Sequence, residues 1–169
     1  AASGSLPRIL LINALAQHKG LAKTSKTPGA TRLLNAFEVG NEDSGRWLMD
    51  LPGSGYAKVS NTEQAKWAEM LNAYVEERQN LVAVLVLIDG EIGPTPLDLQ
   101  TVEWLEHLGR PIIYVATKAD KVRPSKSQKR RAELTAKLGV ERKDVRWVSA
   151  DKGQGIPELR ALVLETLGV

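Results

Sequence analysis

Thr117-Lys118-Ala119-Asp120 places a hydroxyl, a lysine and a carboxylate within four residues, directly after the apolar run 111–116. A carboxylate there can accept two hydrogen bonds at once, from a ring N–H and an exocyclic amine, a pair that guanine offers and adenine does not. Asp120 is suited to that reading. Lys118 can lay its methylene stem over the base, and Thr117 can tie the loop to neighbouring backbone. Ser149-Ala150 follows the next apolar run, where the Ala150 N–H can donate to the guanine carbonyl. Upstream, Trp47-Leu48-Met49 runs into Asp50-Leu51-Pro52-Gly53. Asp50 can hold Mg²⁺ through a water, and Gly53, with no Cβ, can bring its N–H to a terminal phosphate. Thr31, beside Pro28-Gly29, can supply a second ligand to Mg²⁺ from its hydroxyl. Each feature alone also reads as a surface turn or a plain strand-to-loop transition; position after a buried strand is what favours chemistry.

The elements that must position these residues show in the hydrophobic pattern. Apolar runs at 33–39, 46–49, 81–89, 111–117 and 145–149 read as strands, with helical periodicity between the later ones. Ser60-Asn61-Thr62-Glu63 is a capping box, followed by Trp67, Met70, Leu71 and Tyr74 at helical spacing, read as core. Thr95-Pro96 opens a second helix that Gly109 stops, 125–138 forms a shorter basic helix ended by Gly139, and 157–167 forms the last. Trp47, Trp67, Trp104 and Trp147 fall within regular elements and read as packing residues. Alternation of helices with nearly continuous Val/Ile/Leu strands predicts a three-layer α/β fold with a mainly parallel sheet. Loop 40–45 reads as a hairpin connection, so the strands flanking it should pair antiparallel.

At 169 residues, with no internal repeat or linker, the chain is expected to form one domain, 1–169. No segment approaches the roughly 20 apolar residues of a membrane span, and no membrane partner is expected. The absence of cysteine excludes disulfides and thiolate-bound metals and suits a reducing compartment. The net charge of +3 hides an asymmetry: residues 118–152 carry 12 Lys+Arg against 5 Asp+Glu, or +7, leaving 11 against 15, or −4, elsewhere. Such a basic region reads either as a solvated helix face or as a nucleic-acid footprint. Lys126, Lys129, Arg130 and Arg131 are the candidate RNA contacts. His18 and His107 lack an acid or serine partner by spacing, which argues against histidine catalysis.

Leu11-Ile12-Asn13-Ala14-Leu15, the run 20–29 (GLAKTSKTPG), 50–53, Gly55-Tyr56-Ala57-Lys58-Val59, Gly93-Pro94-Thr95, Leu97-Asp98, 117–120 and Lys152-Gly153-Gln154-Gly155-Ile156 follow one another in an order and spacing that resembles the EngB (YihA/YsxC) family of ribosome-assembly GTPases. The resemblance runs through nearly the whole chain from Leu11 onward. It implies a P-loop GTPase fold, GTP/GDP with Mg²⁺, and a role in maturing the large ribosomal subunit, with rRNA and ribosomal proteins as partners and a monomer when free. The expected location is the mitochondrial matrix or another organelle, with the bacterial cytoplasm as the alternative.

The family's phosphate loop should precede Leu11, where this chain has Ser5-Leu6-Pro7-Arg8-Ile9-Leu10. Aligned without a gap, Pro7 stands for the second glycine, Arg8 for the lysine that would meet phosphate, and Ile9 for the Mg²⁺-binding hydroxyl. Proline removes an N–H from an anion-binding nest, Arg8 keeps charge in a different geometry, and Ile9 cannot ligate metal. These changes should weaken phosphate and Mg²⁺ binding far more than base recognition. Ser54, where the family commonly has an aromatic residue, and Ser5, in place of an asparagine, add to the case against hydrolysis. The first strand of the sheet is also expected to be missing, since 1–4 cannot supply it. Two functions therefore stand side by side: a GTP-binding factor in large-subunit assembly, or a nucleotide-free pseudo-GTPase serving as a structural component or scaffold of a ribosome or pre-ribosome. An adenine-nucleotide or phosphate-binding α/β enzyme is the third, which Asp120 argues against.

Overall fold

The computed structural model describes Leu11, Ala14, Leu15 and residues 35–39, 45–51 and 61–169. In chain order the elements are β1 (Asn35–Glu38), β2 (Trp47–Asp50), α1 (Asn61–Glu77), β3 (Val84–Asp89), α2 (Pro96–His107), β4 (Ile112–Thr117), α3 (Pro124–Leu138), β5 (Val145–Trp147) and α4 (Ile156–Leu167). Strands β3, β4 and β5 form a parallel sheet in that order, Val84 opposite Ile112 and Tyr114 opposite Val145. The hairpin expectation holds: β1 and β2 pair antiparallel, with Asn35 opposite Asp50.

The near-continuous apolar strands are explained by burial on both faces. Val86, Ile88, Tyr114 and Ala116 point into one cluster with Val75 of α1, Val102 and Leu105 of α2, and Leu134 and Leu138 of α3. Val115, with Leu85, Leu87 and Ile113, turns to the opposite face and meets Leu11 and Ile156, Leu159 and Val163 of α4. Alternation along each strand thus feeds two layers of helices through one sheet. Within the second of these layers the Arg160 guanidinium of α4 donates to the carbonyls of Leu15 and Ala14, each at 2.7 Å.

Local chemistry sets the helix ends. Thr95 Oγ1 accepts from the Asp98 N–H at 3.2 Å while Asp98 Oδ2 accepts from the Thr95 N–H at 2.8 Å, a reciprocal capping box with Pro96 in the first turn. Helix α3 begins at Pro124 and stops at Gly139, and α4 begins at Ile156. The expected capping serine of α1, Ser60, lies outside the described residues, as do 1–10, where the altered phosphate loop and the missing first strand were expected.

Three expectations need correction. The run 81–89 becomes a strand only from Val84, because Val82 precedes the ladder and is half exposed. Trp47 is 51% exposed: it sits opposite Glu38 at the end of the short β1–β2 ladder next to the connecting loop, where no helix covers it among the described residues. Met70 is also exposed, on the outer face of α1, while Val75 of that helix is buried in the core and Tyr74 packs against it. No described helix is long and apolar enough to cross a membrane.

Candidate guanine-nucleotide site

All three parallel strands deliver their C-terminal ends to one edge of the sheet, the end at which such folds bind ligands. β3 delivers Asp89, β4 delivers Thr117, and β5 leads into Ser149. Thr117 Oγ1 donates to the Ile88 carbonyl at 3.2 Å, pinning the end of β4 to β3. Immediately afterwards Lys118 adopts φ 57° and ψ 37°; it is the only non-glycine residue with positive φ among those described. A left-handed lysine costs about 1–2 kcal/mol, so surrounding contacts must hold it there. They are present: the Lys118 ammonium reaches Asp89 Oδ2 at 2.6 Å, and the next residue's N–H, of Ala119, donates to the Val148 carbonyl at 3.0 Å. The chain then closes a 3-10 turn, Ala119–Lys121, which carries Asp120.

Asp89 is the residue that sequence reasoning missed. Its second oxygen, Oδ1, accepts from the Glu91 N–H at 2.9 Å and the Ile92 N–H at 3.3 Å, so the carboxylate is fixed by backbone while its other oxygen holds Lys118. The hydrogen bond that Lys118 donates to Asp89 is the largest cause of a Lys118 pKa raised above the ordinary lysine value, outweighing partial desolvation. The position was legible in principle, since Asp89 ends an apolar strand as Asp50 does. Replacing Asp89 with asparagine keeps an acceptor for the backbone but loses the ion pair. Because the pair is partly exposed, Asp89→Asn should weaken guanine-nucleotide binding only about three- to tenfold, read by titration calorimetry. The lysine's titration, followed by NMR, should move down toward its usual value. In the native chain the lysine keeps its charge below about pH 10, and its contribution to the pair is lost as pH rises through the raised lysine pKa.

The second loop closes against the first. Ser149 is fully buried; its N–H donates to the Gln154 carbonyl at 2.9 Å and its Oγ accepts from the Lys152 N–H at 3.1 Å. The Ser149 hydroxyl beside Asp120 is the main reason that the Asp120 carboxyl lies below the ordinary carboxylate range. Partial burial opposes this, while its own N–H, Lys121 and Lys152 add to it. A carboxylate that stays ionised through neutral pH, beside a loop carrying Ala150, can accept two N–H groups of a guanine edge.

Gly90 sets how tightly this edge is built. Its N–H donates to the Thr117 carbonyl at 2.9 Å, and a Cβ at this position would stand 2.5 Å from that oxygen and 2.6 Å from the Trp147 ring. Trp147, read from the sequence as packing, is indeed buried, filling the space between Gly90 and α3.

The structure thus brings together Thr117, Lys118, Asp120, Ser149 and Ala150, and leaves Asp50 buried at the end of β2 on the antiparallel pair. Gly53, Thr31, Arg8, Pro7 and Ile9 lie outside the described residues. No cluster of three or more His, Asp or Glu side chains that could hold a metal exists among the described residues. A lone carboxylate still fits Mg²⁺, which takes one or two carboxylates and fills its remaining positions with water and phosphate oxygens; Asp50 is the described residue that would hold it. Of the basic residues, Lys126 and Lys129 are exposed on α3, whereas Arg130 and Arg131 are partly buried. Lys129 and Arg130 both approach Glu133, at 3.9 and 3.5 Å.

Residues 9–118 match the family model described as 50S ribosome-binding GTPase. The chain is 37% identical over 162 residues to the probable GTP-binding protein EngB of Myxococcus xanthus, covering 94% of this chain and 79% of that protein. With the protein of the same name from Shouchella clausii it shares 40% identity over 159 residues, again 94% and 79% of the two chains. The crystal structure of a probable GTP-binding protein EngB superposes with a TM-score of 0.76, covering 98% of this chain and 94% of that one at 20% identity, a likeness of fold.

Proposed function

Because the chain belongs to the EngB family of GTP-binding proteins, we propose that it binds GTP and GDP through 117–120 and 149–150 and acts in assembly of the large ribosomal subunit. The observation that carries the base site is the joint placement of Asp120 beside the buried Ser149 hydroxyl and of Lys118 in a left-handed turn held by Asp89. In this reading Asp120 accepts from the guanine ring N–H and amine, Lys118 covers the base with its stem, and the Ala150 N–H meets the carbonyl. Asp50 would hold Mg²⁺, with Gly53 at a terminal phosphate and Thr31 as the second metal ligand. Arg8 would meet the phosphates in place of a lysine. Hydrolysis is outside the proposal, because Pro7, Ile9 and Ser54 supply neither the backbone donor, the metal ligand nor a group that orients water.

The family description, 50S ribosome-binding GTPase, supports a large-subunit partner, and the +7 charge of 118–152 supports rRNA as part of the surface met. The test is sedimentation of the purified chain with isolated large and small ribosomal subunits in GTP, in GDP and without nucleotide. Cosedimentation with the large subunit alone, stronger with GTP than with GDP, is expected. Equal recovery with both subunits, or none with either, would overturn the ribosomal reading. Nucleotide-independent binding to the large subunit would favour the scaffold reading instead.

A further inference from the structure

Away from the nucleotide site, a cavity of about 280 Å³ opens between α3 and the turn Arg142–Asp144, lined by Ser127, Gln128, Arg131, Thr135, Arg142 and Trp147. Two guanidinium groups face it, and each is already held in place. Arg131 stacks over the Trp147 ring at 4.9 Å from its centroid, and its Nε donates to Ser127 Oγ at 3.4 Å. Arg142 donates from Nη1 to Gln128 Oε1 at 2.9 Å. Neither pairs with a carboxylate among the described residues, although Glu133, Glu141, Asp120 and Asp151 all pair with lysines or with Arg130 nearby. Two pre-positioned cations with unspent N–H donors, beside a hydroxyl and an amide, make a site for a tetrahedral oxyanion.

We propose that this cavity binds a backbone phosphate of RNA, with Arg131 and Arg142 as its ligands. The proposal rests on the ribosomal reading above and adds to it a defined contact point. The volume favours a sugar–phosphate unit: at about 280 Å³ the cavity lies just under the roughly 300 Å³ at which whole small-molecule sites begin, and a side-chain carboxylate would leave much of it empty. The surroundings favour a polyanion. Residues 118–152 carry a net +7, so a strand held at the cavity lies in an attractive field, with Lys126 and Lys129 exposed on the far side of the same helix. Arg131 is therefore more than one member of a diffuse basic patch. Its stacking on Trp147 fixes the plane of its donors before the phosphate arrives.

The test is fluorescence anisotropy of a labelled large-subunit rRNA hairpin across a salt series, with wild type, Arg142→Gln and Lys137→Gln. Arg142 is exposed and its replacement keeps the fold; Lys137, exposed near the end of α3 and absent from the cavity, makes the same charge change. Arg142→Gln should weaken binding about tenfold and lower the log–log salt slope by about 1, and Lys137→Gln should do neither. Arg131→Gln should match Arg142→Gln, with GDP affinity unchanged in both. Equal losses in the Arg142 and Lys137 variants would reduce the cavity to bulk charge and overturn the proposal. So would thermal stabilisation of wild type but not of Arg142→Gln by millimolar inorganic phosphate while the two proteins bind RNA alike, which would assign a free anion. Failure of wild type to bind any rRNA would overturn the ribosomal reading together with this site, whereas wild-type binding that Arg142→Gln leaves intact would overturn this site alone.

Discussion

Asp120→Ala is expected to weaken GDP and GTP binding by about 100-fold or more while the chain remains folded. Two charge-assisted hydrogen bonds to the guanine edge, each contributing about 1.5 kcal/mol or more, leave together, and every 1.4 kcal/mol is about tenfold. Little of the fold depends on that carboxylate, whose neighbours are the Ser149 hydroxyl and the ends of Lys121 and Lys152. Titration with fluorescent GDP, beside a thermal melt of the same sample, separates the two effects. A loss of affinity with an unchanged melt is the expected pair of results; full affinity in the variant would remove Asp120 from base recognition. The pH dependence carries the same sign. A carboxyl held below its ordinary range contributes above the unfolded value and is lost only as pH falls through the lowered folded one. Guanine affinity should therefore stay level from about pH 8 to about pH 5 and fall below about pH 4. A midpoint near neutrality would point to some other group.

Gly155→Ala is expected to have the largest effect on stability. Gly155 caps the start of α4 at φ 69°, a conformation costing a residue with Cβ about 1–2 kcal/mol. Its Cβ would also run into the Trp147 carbonyl, a backbone atom that cannot swing aside. Overpacking of that kind adds roughly 1–3 kcal/mol, for a total of about 3 kcal/mol. At 2–4 °C per kcal/mol for a chain of this size, the melting temperature should drop by about 10 °C. The damage reaches the site, because the same segment carries Gln154, whose carbonyl accepts from the Ser149 N–H. A melting temperature within a degree or two of wild type, measured by calorimetry, would contradict the close packing of 155 on 147.

The sheet was legible because its strands are short apolar runs ended by turns, and parallel burial makes such runs nearly uninterrupted. The capping box at Thr95 and the glycine stop at 139 were legible for the same kind of reason: each is a local signal confined to a few residues. What escaped was non-local. Nothing within 117–120 announces that Lys118 is left-handed, because the conformation is held by Asp89 on another strand and by the Val148 carbonyl just after a third. Trp147 could be assigned to packing from its strand, but its place between Gly90 and Arg131 depends on two other elements. Trp47 was misjudged because an apolar run shows that a strand exists and does not show whether a helix will cover it. The cavity under Arg131 was hidden for a related reason: a run of basic residues on a helix looks the same whether its members are solvated or stacked on a ring.

Titration of the purified chain with GDP and ADP in the presence of Mg²⁺ tests the central claim most directly. GDP should bind at least about 100-fold more tightly than ADP, because a partly buried carboxylate that finds two N–H partners on guanine finds no such pair on adenine. Equal affinities, or no binding of GDP at millimolar concentration, would contradict a guanine site at 117–120 and 149–150.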